Sequence, residues 1–208
     1  MTEQTPITRQ QRGFQYQIWL MLVIVIGVIL AGFLMVPDTE EERKKMIELF
    51  GTTNQGEIVS PMVDVSQILD LVGTQSTAEA PKWKVLIVGG MGCDSGCQEV
   101  LSNSRNVHML LGKMTRRLER IYLPNIAAID RFNLADLQAK HPLLLIHPIE
   151  TEQMSALLQG SSAAWNMDDV RYFIVTPDQK AILYYTQAHD GGGLLEDLKH
   201  LLKYSPDR

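Results

Sequence analysis

Cysteine is scarce in this chain, with two in 208 residues. That excludes a disulfide-dense scaffold, a four-cysteine zinc site and an all-cysteine iron–sulfur cluster within one chain. Positive charge is also short. Lysine and arginine number 19 against 24 acids, a formal net charge of −5, which disfavours nucleic acid as a partner. There is no nucleotide-binding glycine loop, no HExxH and no GxSxG, so NTPase and hydrolase chemistry have no footing. No internal repeat is present. What remains is 45% hydrophobic and 21% charged, the composition of a folded chain rather than a disordered one. At about 150 residues per domain, the length allows roughly one domain with some chain left over.

The leftover reads as an anchor. Ile18 to Val36 (IWLMLVIVIGVILAGFLMV) carries no charge, and a helix of that length matches the hydrocarbon core of a bilayer. Trp19 suits an interfacial position, and Pro37 followed by Asp38 ends the run. The run is longer than the apolar core of a cleaved signal and no small-x-small cleavage pattern follows, which favours a retained single span. Arg9 and Arg12 before it and Arg43, Lys44 and Lys45 after it do not decide orientation. The short amino terminus ahead of a first hydrophobic helix does, since it is the layout of a signal anchor whose long C-terminal part is exported. In a Gram-negative bacterium this means an inner-membrane protein with a periplasmic domain. The expected boundaries are 1–17 cytoplasmic, 18–36 transmembrane, 37–62 linker and 63–208 folded domain, with a second weakly structured stretch at Ser76–Pro81.

Within the exported part, Trp83–Val88 (WKVLIV) is an apolar, β-branched run that predicts a buried strand. Gln98–Leu111 has helical spacing, with Val100, Val107, Leu110 and Leu111 available for one face. Strands are expected at Leu118–Leu123, Leu143–Ile146 and Val170–Val175, and short helices at Leu134–Lys140 and Thr151–Leu158. Thr176-Pro177-Asp178-Gln179 turns the chain into a strand at Ala181–Tyr185, making a hairpin, and Leu194–Leu202 closes as an amphipathic helix. Strands alternating with helices, then a hairpin, then a helix is the order of a thioredoxin-like α/β domain.

Chemistry concentrates at Cys93-Asp94-Ser95-Gly96-Cys97, placed after the buried strand and at the start of the following helix. Free N–H groups and the positive end of a helix dipole stabilise a thiolate there, which makes it a nucleophile or a soft-metal ligand; Asp94 opposes this with its own charge. Residues four apart on a regular helix have Cβ atoms about 5–6 Å apart, too far for the roughly 3.8 Å of a disulfide, so Cys93 is expected on the loop. Gly92 and Gly96 are expected to supply the backbone freedom. Two thiolates at adjustable separation suit Cu(I) once a third donor joins them, and they suit reversible disulfide exchange. A purely structural staple is the plainer alternative, but so short a ring gains little from loop closure.

Five histidines are candidates for the third ligand: His108, His141, His147, His189 and His200. His108 lies about three turns along the helix from Cys97, too far to share an ion with it. His200 belongs to the last helix. His147, flanking the LLLI strand, and His189, in the loop QAHDGGG, are the two retained. Met91, two residues before Cys93, is a thioether candidate, although methionine usually serves packing.

Taken together, Gly89–Lys113 (GGMGCDSGCQEVLSNSRNVHMLLGK), Gly51–Glu57 (GTTNQGE) and Val175–Lys203 (VTPDQKAILYYTQAHDGGGLLEDLKHLLK) resemble the membrane-anchored Sco/SenC-like proteins, in their short proteobacterial branch. The resemblance implies a thioredoxin-like fold tethered by one N-terminal transmembrane helix. It also implies copper delivery or thiol reduction for the binuclear copper site of cytochrome c oxidase subunit II, with Cys93 and Cys97 as the matching thiols. The chain departs from that pattern twice. Gln98 stands where proline commonly follows the cysteine motif, and Asn166-Met167-Asp168-Asp169 stands where the family has its histidine ligand. A carboxylate is a hard donor poorly matched to Cu(I), which shifts weight from tight copper binding toward thiol redox chemistry. A thiol peroxidase, whose nucleophile has a threonine three residues earlier, meets Gly90 at that position here. A non-catalytic membrane-bound scaffold with a structural disulfide is the third reading.

Overall fold

The structure is a computed structural model that describes residues 9–34, 54–73, 81–90, 92–127 and 134–205. The last residues of the apolar run (35 and 36), the linker through residue 53, residues 76–80 of the second weakly structured stretch, and Met91 lie outside the described residues. The chain divides into two compact units, Met1–Thr52 and Thr53–Arg208.

In the first unit, residues 18–34 of the charge-free run lie within helix α1, Arg9–Leu34, 26 residues long. Its described side chains are all exposed, Trp19 at 69% and Val28 at 68% among them. Among the described residues no helix is long and apolar enough to cross a membrane.

The second unit contains β1 (Glu57–Asp64), α2 (Ser66–Leu71), β2 (Trp83–Val88), α3 (Ser95–Leu110), a 3-10 turn (Gly112–Arg117), β3 (Leu118–Leu123), α4 (Leu134–Lys140), β4 (Leu144–Ile146), α5 (Thr151–Leu158), β5 (Arg171–Val175), β6 (Lys180–Tyr185) and α6 (Gly191–Tyr204). One six-stranded sheet has the order β1-β6-β5-β2-β3-β4. β2, β3 and β4 run parallel, whereas β5, β6 and β1 pair antiparallel in succession. Every residue of β2 is buried because the sheet is covered on both faces. Val85 and Ile87 point into a core with α3 and α6 (Leu101, Leu194, Leu198), while Leu86 and Val88 point into a second core with α2 and α5 (Leu69, Met154). The two-residue alternation of a strand thus divides one apolar run between two cores.

Two elements were not expected. β1 starts at Glu57, inside the stretch read as linker, and α2 follows it. β1 holds an edge position, where Pro61 costs no ladder bond, and its register with β6 shifts between Ile58 and Val63. An edge strand interrupted by proline and exposed over most of its length has no alternating apolar pattern to betray it. Helix starts also move. α3 begins at Ser95 instead of Gln98 and α6 at Gly191 instead of Leu194, because Asp94 and Asp190 are N-caps whose carboxylates accept the N–H of Cys97 at 2.9 Å and of Gly193 at 2.8 Å.

Candidate functional site

Parallel pairing of β2, β3 and β4 brings their C-terminal ends to one end of the sheet. The segments that leave them there are 89–94, 124–127 and 147–150. Cys93 lies on the first, two residues ahead of α3, and Cys97 lies in the first turn of α3. They are joined as a disulfide with a Cα–Cα distance of 5.0 Å, so Cys93 does sit on the loop as the reach argument requires. Their environments differ. Cys97 is 1% exposed within the α3–α6 core, whereas Cys93 is partly exposed at its margin.

Around the pair the chain supplies contacts that the sequence pattern did not single out. Tyr122, in β3 and fully buried, places its hydroxyl 3.4 Å from Cys97 Sγ. A disulfide sulfur carries no hydrogen, so the phenol is the donor. Burial, and then the charge of Asp94, raise the Tyr122 pKa above that of an ordinary phenol. Asp94 does more than add an opposing charge: its carboxylate occupies the N–H of Cys97, one of the free donors at the helix start. Gly90 abuts the loop before β5, where an added Cβ would lie 2.8 Å from the Met167 carbonyl oxygen. Gly92 and Gly96, expected to supply backbone freedom, both lack a positive φ. Gly96 instead leaves space for the Gln187 side chain, whose carboxamide would lie 2.6 Å from a Cβ there.

The phenols behind the site form a stacked set. Tyr172 and Tyr185 have ring centroids 5.0 Å apart, nearly parallel. Burial, then Asp190, push the Tyr172 pKa up to about 12, and burial together with the Asp197 contact raises that of Tyr185. Tyr185 donates to Asp197 Oδ2 at 2.6 Å, and its ring meets the ring of His189 edge-on at 5.6 Å.

The candidate third ligands stand elsewhere. The N–H of His147 donates to the Tyr122 carbonyl at 3.0 Å, and His147 is among the residues lining a cavity of about 300 Å³ with Leu71, Val72, Ile126, Ile149 and Gln153, on the α2 side of the sheet. Burial lowers its pKa. His189 Nδ1 accepts the Thr186 N–H at 3.1 Å, and its carbonyl accepts from the Tyr172 hydroxyl at 3.4 Å. His108 and His141 are buried and His200 is exposed. Asp168 is exposed, and Asp169 accepts the Trp165 indole N–H. Among the described residues, no group of three His, Cys, Asp or Glu is close enough to hold a metal ion. By donor type the two sulfurs fit Cu(I), but only after the disulfide is reduced.

Tyr122 was within reach of the sequence, because strand alternation in LERIYL puts it on the same face as Leu118, toward α3. Gln187 had no such signal, since it sits in a loop.

A two-cysteine turn between a buried strand and a helix, on a sheet with this order and a closing hairpin and helix, defines a thioredoxin-like α/β protein. The chain belongs to the family of transmembrane-like, thioredoxin-like C-terminal domains, whose model matches residues 83–205. No curated protein matches it. Among solved structures it is similar to the apo Sco1 protein of Thermus thermophilus, with 17% identity, a TM-score of 0.51, and coverage of 73% of this chain and 98% of that one. It is also similar to copper-bound ScoI of Bradyrhizobium japonicum, at 14% identity and TM-score 0.44, covering 70% of this chain and 98% of that one. A DsbF homologue from Corynebacterium diphtheriae aligns at 14% identity and TM-score 0.42, over 58% of this chain and 73% of that one. At these identities the shared property is the fold.

Proposed function

We propose that the chain is a membrane-anchored thiol–disulfide or copper-handling factor that assists assembly of a cytochrome c oxidase copper site, with Cys93 and Cys97 as its working residues. The observation that carries this reading is the asymmetric disulfide at the end of the sheet, with one sulfur partly open and the other buried. In exchange, an incoming thiolate attacks Cys93 Sγ, the bond to Cys97 Sγ breaks, and Cys97 leaves with the electron pair. The client is then held on Cys93 as a mixed disulfide. Copper in this reading is cargo rather than a resident cofactor. Reduced Cys93 and Cys97 supply two soft donors, and a third from His147 or His189 has to be brought to them by movement of its segment.

Anchorage belongs to the same proposal. The reading rests on the sequence, where the charge-free run Ile18–Val36 would, as a helix at about 1.5 Å per residue, roughly match the hydrocarbon core of a bilayer. The thioredoxin-like unit is then exported from the cytoplasm, to the periplasm in a Gram-negative bacterium, with oxidase subunit II or another assembly factor as its partner.

The test is oxidase assembly in cells carrying Cys93→Ser or Cys97→Ser, with thermal unfolding of each variant confirming the fold. Loss of assembled copper-containing oxidase in both is the expected result; normal oxidase activity in both single variants ends the proposal. Titration of the reduced chain with Cu(I) against a moderate chelator then separates the branches, because failure to compete leaves only the redox one. A peroxidase is disfavoured by Gly90, since a threonine side chain at that position would collide with the Met167 backbone.

A further inference from the structure

Tyr122 is the one side chain hydrogen-bonded to the buried sulfur among the described residues, and nothing in the exchange step written above uses it. Its hydroxyl is fully buried within the α3–α6 core, where a donor left without an acceptor is costly. The acceptor it has is Cys97 Sγ at 3.4 Å. The space the hydroxyl occupies depends on Gly89, where a Cβ would stand 2.7 Å from the phenol oxygen. Gly89 is itself the first residue after β2, and its N–H donates to the Leu123 carbonyl at 3.0 Å, so the strand end and the phenol are held in one register.

We infer that Tyr122 is a positioning residue for disulfide exchange, donating its O–H to the sulfur of Cys97 as that atom becomes the leaving thiolate. The inference rests on the exchange reading of the preceding subsection and deepens it. When a client or small-molecule thiolate forms its new bond to Cys93 Sγ, the Cys93–Cys97 bond breaks and its electron pair goes to Cys97 Sγ. The attacking thiol is oxidised into the mixed disulfide and Cys97 is reduced. The phenol keeps its proton throughout. Its raised pKa, from burial and the neighbouring Asp94 charge, is consistent with a donor that hydrogen-bonds without ionising. A hydrogen bond to an anion is stronger than one to a neutral sulfur, so the contact favours the state in which the bond has opened. The N–H of Cys97 is already committed to Asp94, which leaves the phenol as the side-chain donor at hand.

The test uses the full chain in mild detergent. Tyr122→Phe removes one oxygen and keeps the ring. It is expected to slow reduction of the Cys93–Cys97 disulfide by glutathione roughly threefold to tenfold, and to lower the equilibrium constant for reduction by a similar factor, while near-ultraviolet circular dichroism stays unchanged. A rate and an equilibrium constant both within about twofold of the unsubstituted chain overturn the inference. Should the variant misfold, the unsubstituted chain labelled with 13C-tyrosine gives the answer: the Tyr122 Cζ resonance is expected to move when the disulfide is reduced, and an unmoved resonance overturns the inference. If the unsubstituted disulfide resists even dithiothreitol, the exchange reading falls and this one with it. If it exchanges normally and Tyr122→Phe matches it, only the role of the tyrosine falls.

Discussion

Replacing Asp197 with alanine is expected to destabilise the thioredoxin-like unit more than any single change at its surface. Asp197 is on α6 and only 5% exposed. Its carboxylate accepts the Gln55 N–H at 2.9 Å, the Gly56 N–H at 2.9 Å and the Tyr185 hydroxyl at 2.6 Å. It therefore ties the segment entering β1 to β6 and to the last helix, elements more than a hundred residues apart in the chain. Truncation strands the Gly56 N–H and the Tyr185 hydroxyl in a buried setting, at about 1–3 kcal/mol each, and removes hydrogen bonds that a charged acceptor had strengthened. A loss of about 3–5 kcal/mol follows, a large part of the 5–15 kcal/mol typical of a domain. For a unit of this size, each kcal/mol moves the Tm by about 2–4 °C, so thermal unfolding is expected roughly 6–20 °C lower. Asp197→Asn keeps one acceptor oxygen and is expected to lose distinctly less. A shift below about 2 °C for Asp197→Ala would show that the network is replaceable by water and refute the reasoning.

Two further outcomes follow from buried basic side chains. His108 is held below the ordinary pKa of 6.5 by burial and then by Arg120, and His141 by burial and then by Arg120, Arg105 and Lys140. Below about pH 6.5 the unfolded chain takes up protons that the folded chain refuses, so stability is full above that pH and declines as pH falls, by at most about 1.4 kcal/mol per unit for each ring. Melting curves between pH 7 and 5 check this, and the idea fails if His108→Gln with His141→Gln shows the same pH slope as the unsubstituted chain. Arg120 lies 1% exposed in β3, donates to Ser104 Oγ at 3.2 Å, leaves its Nε without a partner, and is brought down by burial to a pKa of about 10. Since it remains charged at neutral pH without a carboxylate among its described contacts, Arg120→Met is expected to raise stability by about 1–4 kcal/mol; a lowered Tm would contradict that.

Much of the thioredoxin-like order was legible because its central strands are buried on both faces. WKVLIV reads as a strand from its apolar, β-branched content and LERIYL from the repeat of the strand–helix pattern, and the structure places them at Trp83–Val88 and Leu118–Leu123 as expected. Thr151–Leu158 and Leu134–Lys140 also stand where helical spacing put them. β1 escaped because an exposed edge strand with a proline has no alternation to read. The early starts of α3 and α6 escaped because Asp94 and Asp190 were weighed as charges or loop residues, when each is a cap for the N–H three residues on.

What the sequence by itself determined is local: an uninterrupted apolar helix, a buried strand run, and two cysteines spaced so that one must leave the helix to reach the other. Those follow from periodicity and covalent reach, which depend on neighbours along the chain. Only the tertiary structure decided which groups surround the cysteine turn. Tyr122 arrives from the adjacent parallel strand, Gln187 from the loop before α6, and the Met167 carbonyl from the loop before β5, while His147 is among the residues lining a cavity on the α2 side. Each of these contacts is fixed by strand register and by which face of the sheet a residue occupies, and a shift of one residue would turn Tyr122 into the other core.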